Sequence, residues 1–128
     1  MIVAGVGLKR SATADEIVAL VEQAVIYAGL PDDALNQLAT IDALAALPAF
    51  EEAARRLAVS AIAIDGAALN AASPRMSTHS ARSLAAHGVG SVAEAAALAA
   101  GGPEASLILE RIASSSVTCA LAQRETNS

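Results

Sequence analysis

Arg10 and its neighbour Lys9 stand between two glycines and two hydroxyls, in the run Gly5-Val6-Gly7-Leu8-Lys9-Arg10-Ser11-Ala12-Thr13. A guanidinium grips a carboxylate or phosphate at two points, and glycine lets backbone amides approach such an anion closely. The run ends in Thr13-Ala14-Asp15-Glu16, a capping box that opens a helix whose positive dipole end favours negative charge. A second stretch has the same grammar: Gly88-Val89-Gly90-Ser91-Val92-Ala93-Glu94. Two such helix starts in one short chain suggest a single site for a ligand bearing several negative groups. The plainer readings are a solvated loop arginine and glycines needed only for a bend. The residues alone leave both open.

Other chemistry is mostly excluded. The first segment lacks the third glycine of a dinucleotide fingerprint, since Arg10 stands there, and Lys9 is outside any Gly-Lys-Ser/Thr context. His79, His87 and the single Cys119 have no partners at metal-ligand spacing, so neither a metal nor another cofactor is expected. No Gly-x-Ser-x-Gly elbow is present. Asp42 and Asp65 each end an apolar run, where a carboxylate either acts on a ligand or caps the next helix. Gly66 after Asp65 favours capping there; Asp42 stays open as a candidate base.

Positioning these residues requires strands that end where helices begin. Ile2 to Val6, Leu38 to Asp42 and Ala61 to Asp65 read as short buried strands, each followed by a helical pattern or its start signal. From Thr13, Ile17, Leu20, Val21, Ala24 and Val25 recur at helical spacing and stop at Gly29-Leu30-Pro31. Pro48 opens a helix with Phe50, Ala53, Ala54 and Leu57 inward and Arg55 and Arg56 outward. A further helix is expected near Ser83 to Gly88, and another from Ser91 to Ala100, stopped by Gly101-Gly102-Pro103. Leu107 to Ile112 and Val117 to Ala122 flank Ser114-Ser115-Ser116 as a hairpin. Alternating strands and helices predict an α/β fold: a three-layer α/β/α sandwich on a mainly parallel sheet of about five strands, with an antiparallel C-terminal edge. Residues 1–128 read as one domain. Ligands of such sheets sit outside the carboxyl ends of the strands, which puts Gly5, Gly7, Lys9, Arg10, Asp42 and Asp65 along one rim.

Of the 128 residues 55% are hydrophobic and only 2% aromatic, so flat faces for stacking a base or flavin ring are scarce. The formal charge of −5 argues against nucleic acid, which needs a basic footprint. Apolar runs are broken well before membrane-spanning length. A soluble cytoplasmic protein without a membrane partner is expected.

Taken in order, these segments resemble the CobE family, equivalently the C-terminal domain of the CbiG proteins of cobalamin biosynthesis. The opening Gly5 to Ile17, the Ala39-Thr40-Ile41-Asp42 motif, Gly88 to Leu98 and the closing Val117-Thr118-Cys119-Ala120-Leu121-Ala122 all align with that family's pattern. Leu8 stands where the family often has Cys, Ser11 where it has Gly, and Ala43 and Leu44 where a lysine often follows the Ile-Asp motif. Arg111 is the remaining basic residue before the last strand, with Ala113 at the other position. The resemblance implies a role in corrin-ring biosynthesis in the oxygen-dependent pathway. The partner would be a precorrin or other corrinoid intermediate, rich in acetate and propionate carboxylates, with other corrin-pathway enzymes as further partners. Gly5, Gly7, Lys9, Arg10, Ser11, Thr13, Asp42, Gly88, Gly90 and Ser91 are the expected contacts. A carrier or accessory role is the first expectation. The rivals are a CbiG-like precorrin lactone hydrolase using Asp42 as base, and a docking module for precorrin methyltransferases.

Overall fold

The computed structural model describes residues 1–75 and 91–125. Along the chain run β1 (Ile2–Leu8), α1 (Ala14–Tyr27), β2 (Leu35–Ile41), the short α2 (Asp42–Ala45) and α3 (Pro48–Arg56). β3 (Ser60–Ile64), α4 (Gly66–Ala72), α5 (Val92–Gly101), β4 (Ser106–Ala113) and β5 (Val117–Gln123) complete it. The helix expected near Ser83 lies outside the described residues, as do Gly88, Gly90, His79 and His87.

The five strands form one sheet in the order β3-β2-β1-β5-β4. β1 pairs parallel with β2, and β2 parallel with β3, while β5 lies antiparallel to both β1 and β4. The expected parallel sheet with an antiparallel C-terminal portion is therefore present. Its reversed strand, β5, is not at the edge but beside central β1. α1 packs against α3 on one side of the sheet, and α5 against α4 on the other, which gives the three layers.

β1 is buried along its whole length because helices cover both of its faces. α5 is buried from Val92 through Leu98, a helix covered all round and apolar except at Glu94. Its alanines permit an unusually close approach to the sheet. A Cβ added to Gly5 would lie 2.0 Å from the Ala93 carbonyl oxygen and 2.5 Å from the Ala97 nitrogen. One added to Gly7 would lie 2.7 Å from the Thr118 hydroxyl. Gly5 falls within the expected strand and Gly7 in the turn expected to close it, yet both stand inside β1. The reason is packing: α5 settles where Gly5 lacks a side chain, and Gly7 leaves room for the Thr118 hydroxyl of β5.

Element boundaries follow local chemistry. Thr13 and Glu16 form the expected capping box of α1, and Gly29 takes φ +70° just past its end. Pro48 sits in the first turn of α3, and Asp65 caps α4 by accepting from the Ala68 amide at 2.8 Å. Asp42 begins a four-residue helix that the pattern after it does not announce. α5 stops at Gly102, φ +91°, where Arg75 donates to the Gly102 and Ala105 carbonyls at 3.2 and 2.9 Å.

Candidate functional site

The carboxyl ends of β1, β2 and β3 point the same way, and α1, α2 and α4 each begin just beyond one of them. α5 runs back along β1, with Ala97 beside Gly5 and Val92 beside Gly7, so its first turn reaches the same rim. The two helix starts thus share one end of the sheet while lying on opposite faces.

At that end the sheet divides. The β1–β2 ladder runs from Ile2↔Leu35 to Gly5↔Ala39 and stops. β1 continues to Leu8 paired with β5, and β2 to Ile41 paired with β3. Fully buried Thr40 spans the seam, its hydroxyl donating to the Val6 carbonyl at 2.7 Å. That hydroxyl satisfies a carbonyl the ladder has abandoned, which otherwise costs about 1–3 kcal/mol. Thr40 was not singled out from the sequence. Its signals were a polar residue inside the apolar run Leu38 to Ile41 and a place in the Ala39-Thr40-Ile41-Asp42 motif, neither of which points to Val6.

Beside the seam, the chain leaving β1 makes a tight turn. The Lys9 amide donates to the Ser116 carbonyl at 2.9 Å, and the Ala12 amide donates back to the Lys9 carbonyl at 2.9 Å. Arg10 and Ser11 stand at the two corners of this β-turn, both exposed. Among the described residues their amides and side chains have no hydrogen-bond partner.

Thr13 and Glu16 close the far end of the turn. The Thr13 amide and hydroxyl donate to Glu16 Oε1 at 2.9 and 3.2 Å, and the Glu16 amide donates to Thr13 Oγ1 at 3.2 Å. The other carboxylate oxygen accepts from the Ser116 hydroxyl at 2.6 Å, across 100 residues of chain. Ser116 belongs to the β4–β5 turn, where Ser114 Oγ also accepts from the Val117 amide at 3.1 Å. The bonds from Ser116 first, then Thr13, hold the Glu16 carboxyl below the usual carboxylate range.

On the other face Ser91 caps α5 by accepting from the Glu94 amide at 3.2 Å. The fully buried Glu94 carboxylate reaches the Arg111 amide at 3.0 Å, where the β4–β5 register shifts. The α5 start was expected as a second capping box; the Ser91 half is present, and this carboxylate oxygen is engaged with β4.

The arrangement limits what the helix ends contribute. Asp15 and Glu16 already occupy the first turn of α1, and Glu94 that of α5. A helix end is worth about 0.3–1 kcal/mol to a charge, against about 1.5–3 kcal/mol for a charge-assisted hydrogen bond. Arg10 and the turn amides therefore dominate any attraction for a carboxylate here. Lys9, Arg10, Ser11, Thr13, Asp42, Asp65 and Ser91 all stand at the rim, while Gly5 lies deeper, under α5. Asp42 is exposed, and its carboxylate has no hydrogen-bond partner among the described residues. The Cys119 thiol, buried in β5, is pushed up to about 12 by loss of solvent, which keeps it protonated.

Residues 2–122 match the profile of the family described as cobalamin synthesis G C-terminus. The chain belongs to that family. It is 40% identical over 121 residues to the protein CobE of a Sinorhizobium species, covering 94% of this chain and 79% of that one. The fold superimposes on a crystal structure of CobE, a protein from the cobalamin (vitamin B12) biosynthetic pathway. That match has a TM-score of 0.91 and 32% identity, over 100% of this chain and 93% of the other. The cobalamin biosynthesis protein chiG of Agrobacterium tumefaciens matches with a TM-score of 0.74 and 35% identity, over 98% and 100%. A cobalamin biosynthesis protein G homologue from Sulfolobus solfataricus matches at 0.76 and 26%, this chain spanning 37% of that longer one. CobE- and CbiG-like in sequence and fold, the chain sits with the cobalamin biosynthesis proteins. Among the described residues no helix is long and apolar enough to cross a membrane.

Proposed function

We propose that this protein binds a precorrin or related corrinoid intermediate in the cytoplasm, and holds it or hands it to other enzymes of the oxygen-dependent corrin pathway. The observation that carries this reading is the exposed Lys9–Ala12 turn at the seam between β1 and β2, where the Arg10 guanidinium and the Arg10 and Ser11 amides have no hydrogen-bond partner among the described residues. Such a turn suits a ligand edged with acetate and propionate groups. Lys9, Ser11 and Thr13 line the same rim, whereas Ser91 is buried in its cap at the start of α5 on the other face, and Gly88 and Gly90 precede it in sequence. Gly5 serves by letting α5 approach, and Gly7 by leaving room for the Thr118 hydroxyl.

A carrier role is better supported than lactone hydrolysis. A general base is usually held by a second group that fixes its orientation, and Asp42 has none among the described residues.

Absorbance titration with cobyrinic acid, a corrin whose acetate and propionate arms are free carboxylates, tests the reading. Arg10→Ala should weaken binding by about tenfold to hundredfold without loss of stability. Arg55→Ala is the suitable control, because Arg56 is engaged with Asp15 at the start of α1. Salt should weaken the wild-type complex. Equal affinities for wild type and Arg10→Ala would return Arg10 to a solvated loop residue. Release of a smaller product on incubation with a precorrin would replace the carrier by an enzyme.

A further inference from the structure

We infer that Ser116, on the β4–β5 turn, is a positioning residue that stakes the Arg10 turn at both ends. Its carbonyl accepts from the Lys9 amide at 2.9 Å, which fixes where the turn begins. Its hydroxyl donates to Glu16 Oε2 at 2.6 Å, and the other Glu16 oxygen accepts from the Thr13 amide at 2.9 Å, which fixes where the turn ends. Between these anchors the Ala12-to-Lys9 bond is the one hydrogen bond among the described residues that holds Arg10 and Ser11 in place. The β4–β5 turn is itself braced, since Ser114 Oγ accepts from the Val117 amide at 3.1 Å and the Ser114 amide donates to the Val117 carbonyl at 2.8 Å. The braced hairpin thus lends its order to a loop whose one apolar anchor among the described residues is Ala12.

This matters for binding because a guanidinium held in one place gives up less freedom when it meets a carboxylate. Neighbouring Ser115 is exposed and has no partner among the described residues, so it supplies an internal control. The functional half of the inference rests on the corrinoid reading above; the structural half does not.

Two measurements on the full chain separate them. The first is backbone 15N relaxation in the unliganded protein. In Ser116→Ala the Arg10 and Ser11 amides should fall from order parameters near ~0.85 towards ~0.6, while Ser115→Ala leaves them unchanged and Ser116→Thr restores them. Glu16→Gln, which weakens the acceptor of the same hydroxyl, should move them in the same direction. The second is titration with cobyrinic acid. Ser116→Ala should weaken binding about three- to tenfold, and should cost clearly less than that in an Arg10→Ala background, because the guanidinium is the main contact it positions and only the turn amides remain. Rigid Arg10 and Ser11 amides in Ser116→Ala overturn the inference, and so do additive losses in the double variant. Loosened amides together with no uptake of the probe by the wild type sustain the staking role and remove the corrinoid reading alone.

Discussion

Glu16 is the residue on which a single proton would be felt most widely. Its folded carboxyl titrates below the ordinary value of 4.5, because the Ser116 hydroxyl and the Thr13 amide and hydroxyl donate to its charged form. A carboxyl with a depressed folded pKa contributes stability that is present in full above the ordinary value and is lost as pH falls through the folded one. The wild type should therefore lose resistance to urea as pH falls below about 4.5, and Glu16→Gln should lose less over the same range. Parallel losses in the two proteins would show that other carboxylates set the acid limb. Thr40 makes a different kind of contribution, independent of pH. Thr40→Val keeps the shape and leaves the Val6 carbonyl unpaired, so about 1–3 kcal/mol of stability should disappear in urea unfolding.

At the scale of elements, the contact between β1 and α5 is the most exacting. Gly5→Ala sets a methyl group 2.0 Å from the Ala93 carbonyl, and backbone on both sides leaves no flexible end to move. Helix α5 must lift, and a loss of about 3 kcal/mol or more is expected in equilibrium unfolding. Little change would mean that α5 slides freely over the strand. The same contact marks where sequence reading ran out. The short apolar runs, the Thr13 cap and the Gly29 stop are local signals, and the elements stand where those signals put them. A glycine after an apolar run carries the same signature whether it bends the chain, exposes amides or admits a helix. Only the position of α5, more than 80 residues onward, separates these roles. Ser116 was equally illegible, since a serine run reads as a turn and nothing local points to Glu16. The rim itself was legible, because strand ends followed by helix starts place Arg10 and Asp42 at one end of any parallel sheet.

Over the whole molecule, the central strand depends on the last one. β1 is flanked by β2 on one side and β5 on the other, so its ladder is completed only when the C-terminal hairpin arrives. A chain ending at residue 105 lacks that partner and should show no cooperative thermal transition by circular dichroism; a sharp transition would show that the first three strands form an independent unit. Pairing so distant in sequence also slows folding, since loop closure precedes any gain from the contacts. The bonding extends one residue beyond the strands: the Met1 amino group donates to the Arg124 carbonyl at 2.7 Å, and the Arg124 amide donates to the Met1 carbonyl at 2.9 Å. These two residues meet at the end of the sheet opposite the rim. A circular permutant of this sequence, joined there by a short linker and cut in the exposed Pro31–Asp33 turn, should keep both the sheet and the Arg10 turn. By the same geometry, a polypeptide fused before Met1 departs on the side away from Arg10, which makes that end the natural tether for a label or a surface.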